Sequence, residues 1–174
     1  YVADDDSGLR VVDISDSANP VELGAYGTPG LAYDVFVSGS YAYVADYISG
    51  LRVVDISDPA NPVEAGSYAA LVEAWGVSIS GRYAYVADGA SGLRVVDITN
   101  PANPVEVAFY DTPGHPYRVF ATNLAYVADA GGGLSVIAIP PPAPLVDPVP
   151  RFINIDALTV TGTGTSPVLV AAGA

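Results

Sequence analysis

From Leu31 to Ser67, with its flanks, short apolar runs alternate with polar, Gly- or Pro-bearing breaks. The runs are AYDVFV (Ala32 to Val37), YAYVAD (Tyr41 to Asp46), LRVVDI (Leu51 to Ile56) and VEAGSY (Val63 to Tyr68). Each is rich in Val, Ile or Tyr and ends at Gly, Ser, Asp, Asn or Pro, which predicts four β-strands. No window sustains a 3.6-residue period, so essentially no helix is expected. Ser38-Gly39-Ser40 is short enough for a hairpin. Gly50 can take a positive φ where the chain reverses after Tyr47. The prolines of Ser57 to Pro62 fix φ and remove ladder donors, so that cluster reads as a turn. Ala42 to Ala45 is apolar almost without alternation, the pattern of a strand covered on both faces.

The same pattern recurs. YVAD starts at Tyr1, Tyr43, Tyr85 and Tyr126, at intervals of 42, 42 and 41 residues. GLRVVDI stands at Gly8, Gly50 and Gly92, followed by Asn-Pro-Val-Glu at Asn19, Asn61 and Asn103. An aromatic residue two before a valine recurs as Tyr33/Val35, Trp75/Val77 and Tyr117/Val119. Four antiparallel strands per ~40-residue copy is the signature of a β-propeller blade. The fold class is therefore all-β: a β-propeller segment of four-stranded antiparallel blades, about three and a half of them, in an incomplete ring. Residues 1–30 are a partial blade, 31–72 and 73–114 complete blades, and 115–139 a partial, divergent one. Residues 140–150 form a Pro-rich linker. Residues 151–174 carry two short strand-like runs, a short β tail or the start of a following domain. An arc of this kind leaves its end faces uncovered, so further blades of a longer parent chain or self-association are expected.

The repeated core, LRVVD at Leu9–Asp13, Leu51–Asp55 and Leu93–Asp97 with its Asn-Pro turn, resembles the LVIVD repeat. The fourth copy, Leu134 to Ala138, lacks both the arginine and the aspartate. The resemblance implies a β-propeller and a bacterial or archaeal protein that is extracellular or attached to the cell surface. It carries no catalytic motif, so it transfers no active site and implies no enzyme.

Charge narrows the partners. Nineteen acidic residues face six basic ones, giving a net charge of −13. Such a chain has no basic patch for nucleic acid or for anionic membrane. The apolar C-terminal run from Pro167 is far too short for a membrane span of ~20 residues. Protein or surface-glycan partners remain. The chain has no cysteine, hence no disulfide framework.

Each candidate site has a plain structural reading beside the functional one. Asp4, Asp46, Asp88 and Asp129 close the YVAD strands, where Asp accepts hydrogen bonds from the amides that follow. Asp4, Asp5 and Asp6 form the one loop with plausible Ca²⁺ chemistry, yet they lack the ligand spacing of a calcium loop. A solvated turn is the better reading, and no cofactor is expected. Arg10, Arg52 and Arg94 recur with Asp13, Asp55 and Asp97. Residues i and i+3 of a strand point to opposite faces, so these charges are read as structural ion pairs made between blades. His115 and Tyr117 stand near the start of an inner strand, where propeller ligands bind. Trp75 occupies the same repeat position as Tyr33 and Tyr117 and could stack on a sugar. The leading expectation is a non-catalytic structural or recognition module. The alternative is a ligand- or carbohydrate-binding propeller, even a hydrolytic one, completed by residues outside this chain. A convergent cluster of Asp, Glu, His or Arg at the mouth of the channel would distinguish them.

Overall fold

The computed structural model describes residues 1–138, so the Pro-rich linker and the 151–174 tail lie outside the described residues. Fourteen strands form four antiparallel sheets. The first holds β1 (Val2–Ala3), β2 (Leu9–Asp13) and β3 (Val21–Tyr26). The second holds β4 (Asp34–Ser38), β5 (Tyr41–Ala45), β6 (Leu51–Asp55) and β7 (Val63–Tyr68). The third holds β8 (Gly76–Ser80), β9 (Tyr83–Ala87), β10 (Leu93–Asp97) and β11 (Val105–Tyr110). The fourth holds β12 (His115–Ala121), β13 (Leu124–Ala130) and β14 (Gly133–Ala138). Gly89–Ser91 make one 3₁₀ turn, and no α-helix occurs among the described residues. This is the all-β, incomplete propeller that the repeat pattern predicts.

The sheets are meanders, each strand paired with its sequence neighbours. β8 lies against β4 on one side and β12 on the other, so the first strand of each complete copy is the inner one. In the first three sheets the pairing slips by one residue between the two valines of LRVVD, at Val11/Val12, Val53/Val54 and Val95/Val96. A bulge there twists the outer strand in the same way in each copy.

The core lies between the sheets. Leu9 and Tyr26 of the first sheet pack on Ala42, Val44 and Ile56 of the second. Tyr43, Leu51 and Val53 pack on Val77, Val86 and Ile98 of the third. Tyr85 and Leu93 pack on Val119, Val127 and Ile137 of the fourth. Each blade thus presents a Tyr/Leu/Val leading face to the Val/Ala/Ile trailing face of the next. Burying one such leucine contributes roughly 1.5–3 kcal/mol.

Polar contacts repeat in the same direction. The Tyr26 hydroxyl donates to Glu64 Oε2 (2.6 Å) and Tyr68 to Glu106 Oε2 (3.0 Å), each crossing one sheet boundary. Burial, and then the accepting glutamate, push both phenols up to about 12. The backbones of Asp5 and Ala32 exchange two hydrogen bonds, as do those of Tyr47 and Ala74. A closer fit lies at the outer strands. A methyl on Gly24 would stand 2.6 Å from the Pro59 carbonyl oxygen, and one on Gly66 would meet Pro101 and Ala102. The proline turn of each blade is a plug, and the glycine of the preceding outer strand is its socket. In the third sheet that position is Ala108, and the Pro-Ala-Asn-Pro sequence of the plug does not recur after Ala138.

The repeated charges pair differently from the sequence expectation. Arg52 reaches Asp46 (3.5 Å) and Glu64 (3.4 Å), and Arg94 reaches Asp88 (3.4 Å) and Glu106 (3.3 Å). Arg10 reaches Asp4 (3.3 Å) and Glu22 (3.1 Å). Each of these ion pairs lies within one sheet, not between blades, because each Arg strand is flanked on one side by the strand that its Asp closes and on the other by the strand that bears its Glu. Asp13 and Asp55 are not partners of the arginines. They accept the backbone N–H of Ser15 and Ser57 at 2.8 Å and shape the plug turn. Asp97 does the same for Thr99 and also meets Arg82 at 3.4 Å.

Candidate functional site

The closing aspartates of the YVAD strands brace the loops at one end of the molecule. Asp46 Oδ2 accepts the Gly30 N–H (2.9 Å), and Asp129 Oδ2 that of Gly114 (3.0 Å). Asp88 Oδ1 accepts the amides of Val72 and Glu73, both at 2.8 Å. These donors stand 15 or 16 residues before the aspartate, in the loop entering the inner strand, rather than just after it. Burial pushes the Asp46 and Asp88 carboxyls up; the amide bonds and the neighbouring arginine oppose that shift.

On these braced loops sits an aromatic cluster. Tyr33 stacks on Trp75 with ring centroids 4.6 Å apart and planes 6° from parallel. Trp75 meets Tyr117 edge-on at 5.1 Å. Tyr47 closes against both Tyr33 (5.5 Å) and Trp75 (5.2 Å), and His115 lies 5.1 Å from Tyr117. Such pairs add about 0.5–1.5 kcal/mol each beyond burial. Tyr47 holds its position at a φ of 48°, a left-handed conformation that a tyrosine rarely adopts. In β12 the register shifts between Pro116 and Arg118, because proline has no N–H for the ladder. The bulge turns Tyr117 outward, leaving it 42% exposed.

Charged groups border the rings. Glu73 accepts the Tyr47 hydroxyl on Oε1 (3.3 Å), and its Oε2 lies 3.2 Å from His115 Nε2 and 3.5 Å from Trp75 Nε1. The charge of Glu73 is the main reason the Tyr47 phenol is pushed up. Gly89 leaves room for this carboxylate: a methyl there would stand 2.5 Å from Glu73 Oε2 and 3.1 Å from His115 Nε2. Across the inner strands, Arg118 pairs with Asp34 (2.9 Å) and donates to the Tyr33 and Trp75 carbonyls (3.3 and 3.4 Å). Gly76, between them, keeps β8 low enough for β12 to pass: its absent methyl would stand 2.7 Å from the Tyr117 carbonyl oxygen.

Trp75, His115 and Tyr117 therefore come together at one mouth. Tyr47, Glu73, Asp34 and Arg118 join them without having been singled out from sequence. The signal for three of them was a break in the repeat: the residue after the shared aromatic is Asp34, Gly76 and Arg118 in successive copies, and the residue two before it is Leu31, Glu73 and His115. The acidic loop does not converge. Asp4 turns to Arg10, Asp5 bonds Ala32 through its backbone with φ at 48°, and Asp6 stays beside Ser7. Among the described residues no group of three or more His, Asp or Glu side chains is placed to hold a metal ion. No helix among them is long and apolar enough to cross a membrane. A shallow depression on the opposite rim, lined by Asp97, Thr99, Asn100 and Val105, has none of this chemistry.

Sheets of this order, with inner strands side by side and cores between blades, define a propeller-type repeat module. The LVIVD repeat model matches residues 1–28, 29–70, 73–112 and 121–146, and the chain belongs to the LVIVD-repeat family. No curated protein sequence matches it.

Proposed function

We propose that this chain is a non-catalytic recognition module of an exported or cell-surface protein, and that it binds a glycan at the aromatic mouth. One observation carries the reading: the residues that break the repeat gather at one end of the inner strands. Repetition explains the frame and the aromatic at this position, but not Asp34, Glu73, His115 and Arg118. An outward-facing tyrosine beside an indole offers apolar faces for the C–H side of a sugar ring. Glu73, His115 and Arg118 supply acceptors and donors for its hydroxyls. Glu73 and Asp34 are each already engaged by several donors, which favours holding a ligand over transferring a proton to one. Placement outside the cell rests on the family resemblance, and the absence of catalysis on a family motif without catalytic residues.

Trp75 is the sole tryptophan, so its emission reports directly on the mouth. Titration with neutral and uronic-acid oligosaccharides should give a saturable change, lost in Tyr117→Ala. No saturable change with any of them up to about 1 mM, where binding is worth only ~4 kcal/mol, overturns the glycan reading.

A further inference from the structure

The aromatic mouth has spare capacity for positive charge and none for negative. Arg10, Arg52, Arg82, Arg94 and Arg118, the arginines among the described residues, are each already paired with a carboxylate. The chain has no lysine. Arg118, at the mouth, also donates to the Tyr33 and Trp75 carbonyls. Glu73 is placed differently. Its partners are the Tyr47 hydroxyl, the Trp75 indole N–H and the His115 imidazole, with no guanidinium among them. A carboxylate offers about four lone-pair positions, and the Glu73 side chain is 28% exposed, so it has room for one more donor. Tyr47 and Tyr117 stand steeply to Trp75, at 62° and 74°. Steep pairs leave ring faces open that stacking would cover, and such faces attract cations. The placing of Tyr47 beside Glu73 is itself unusual. Asp5 and Gly89 hold the same place in their copies at φ of 48° and 50°, which both residue types tolerate. Tyrosine does not, yet two backbone hydrogen bonds to Ala74 keep it there. Local strain of this kind points to a use for the side chain it positions.

We propose, building on the glycan reading above, that the sugar bound at the mouth is an amino sugar with its amine free, held as an ammonium ion by Glu73 beside the faces of Tyr47 and Trp75. The negative charge that pushes the Tyr47 phenol up acts on the same space. Acetylation of the amine removes the charge that Glu73 meets. A uronic acid brings the opposite sign to a mouth whose arginine is taken, on a chain of charge −13.

Calorimetry and Trp75 emission on the full chain test this with three probes: a glucosamine tetramer, its N-acetylated counterpart and tetralysine, in buffer acidic enough to protonate the sugar amines. The free-amine tetramer should bind at least about tenfold tighter than the acetylated one. Glu73→Gln, checked for folding by circular dichroism, should narrow that gap to less than about threefold while the acetylated form still binds. Added salt should narrow the gap in wild type by screening the same contact, a reading that needs no variant. Equal or tighter binding of the acetylated tetramer overturns the proposal and leaves the glycan reading standing. Binding of neither sugar overturns both. A gap that survives Glu73→Gln overturns the proposal, because the charge is then read elsewhere. Tetralysine binding as tightly as the amino sugar also overturns it, by showing that the mouth reads charge without the sugar.

Discussion

Leu51 in the second blade and Leu134 in the fourth stand at the same place in the repeat, yet the first is 0% exposed and the second 69%. Asp46 and Asp4 differ in the same way. Asp46 is fully buried under the loop that enters its own inner strand. Asp4 belongs to a sheet without that strand and is exposed. A motif residue therefore has no fixed worth here. Its contribution is set by the blade beside it, as expected of a chain whose stability is a sum of units and nearest-neighbour interfaces.

The largest test of that contrast is in the core. Leu51→Ala should cost about 3–5 kcal/mol, since it opens a cavity between two closed sheets. Leu134→Ala should change stability by less than ~0.5 kcal/mol. Urea unfolding of the two variants at low protein concentration reads both. Equal midpoints would mean that the terminal face is covered in solution.

The charges should show a smaller gap. The Arg52 side chain is 14% exposed and faces a fully buried Asp46, whereas Arg10 is 33% exposed with exposed partners. Arg52→Ala should cost roughly 3 kcal/mol by stranding a buried carboxylate. Arg10→Ala should cost less than ~1 kcal/mol. Guanidinium chloride would mask ion pairs, so thermal unfolding in low salt is the suitable measurement.

The smallest effect is in pH dependence. Asp88 has its carboxyl raised by burial from an ordinary value of 3.8. Stability tied to a raised acid is fully present below that ordinary value and is lost as pH rises through the folded one. Relative to Asp88→Asn, wild type should therefore be at its best in acid and lose that advantage towards neutrality. Asp13 and Asp55 sit low because the amides of Ser15 and Ser57 bond their charged forms. Their contribution runs the other way: it is present above the ordinary value and lost as pH falls. Melting temperatures of wild type and Asp88→Asn at pH 3.5 and 7, values that bracket the usual carboxylate range, separate the two trends. A constant difference would show that Asp88 does not titrate in that window.

Much of the frame was legible in the residues. The run Val63 to Tyr68 is β7 to the residue, because its boundaries are a proline and an alanine pair outside the ladder. The arginine partners were not legible. Opposite faces for i and i+3 is a sound rule within a strand, but the bulge at Val53/Val54 and the cross-strand register place Glu64 and Asp46 near Arg52 instead. Trp75, His115 and Tyr117 could be noticed one at a time. Their union with Glu73 and Arg118 depends on how far each blade turns relative to the last, which no local pattern encodes.

Gly24 and Gly66 receive the proline turns of the blade that follows, and Asp13 and Asp55 shape those turns. The first and second sheets thus each carry a male fitting on one side and a female fitting on the other within a single stretch of about forty residues. An in-frame insertion or loss of one whole unit keeps every remaining joint matched. A change of a few residues breaks two. Such a chain can vary in number of copies without redesign, and Ala108 marks the point where the series of fittings stops.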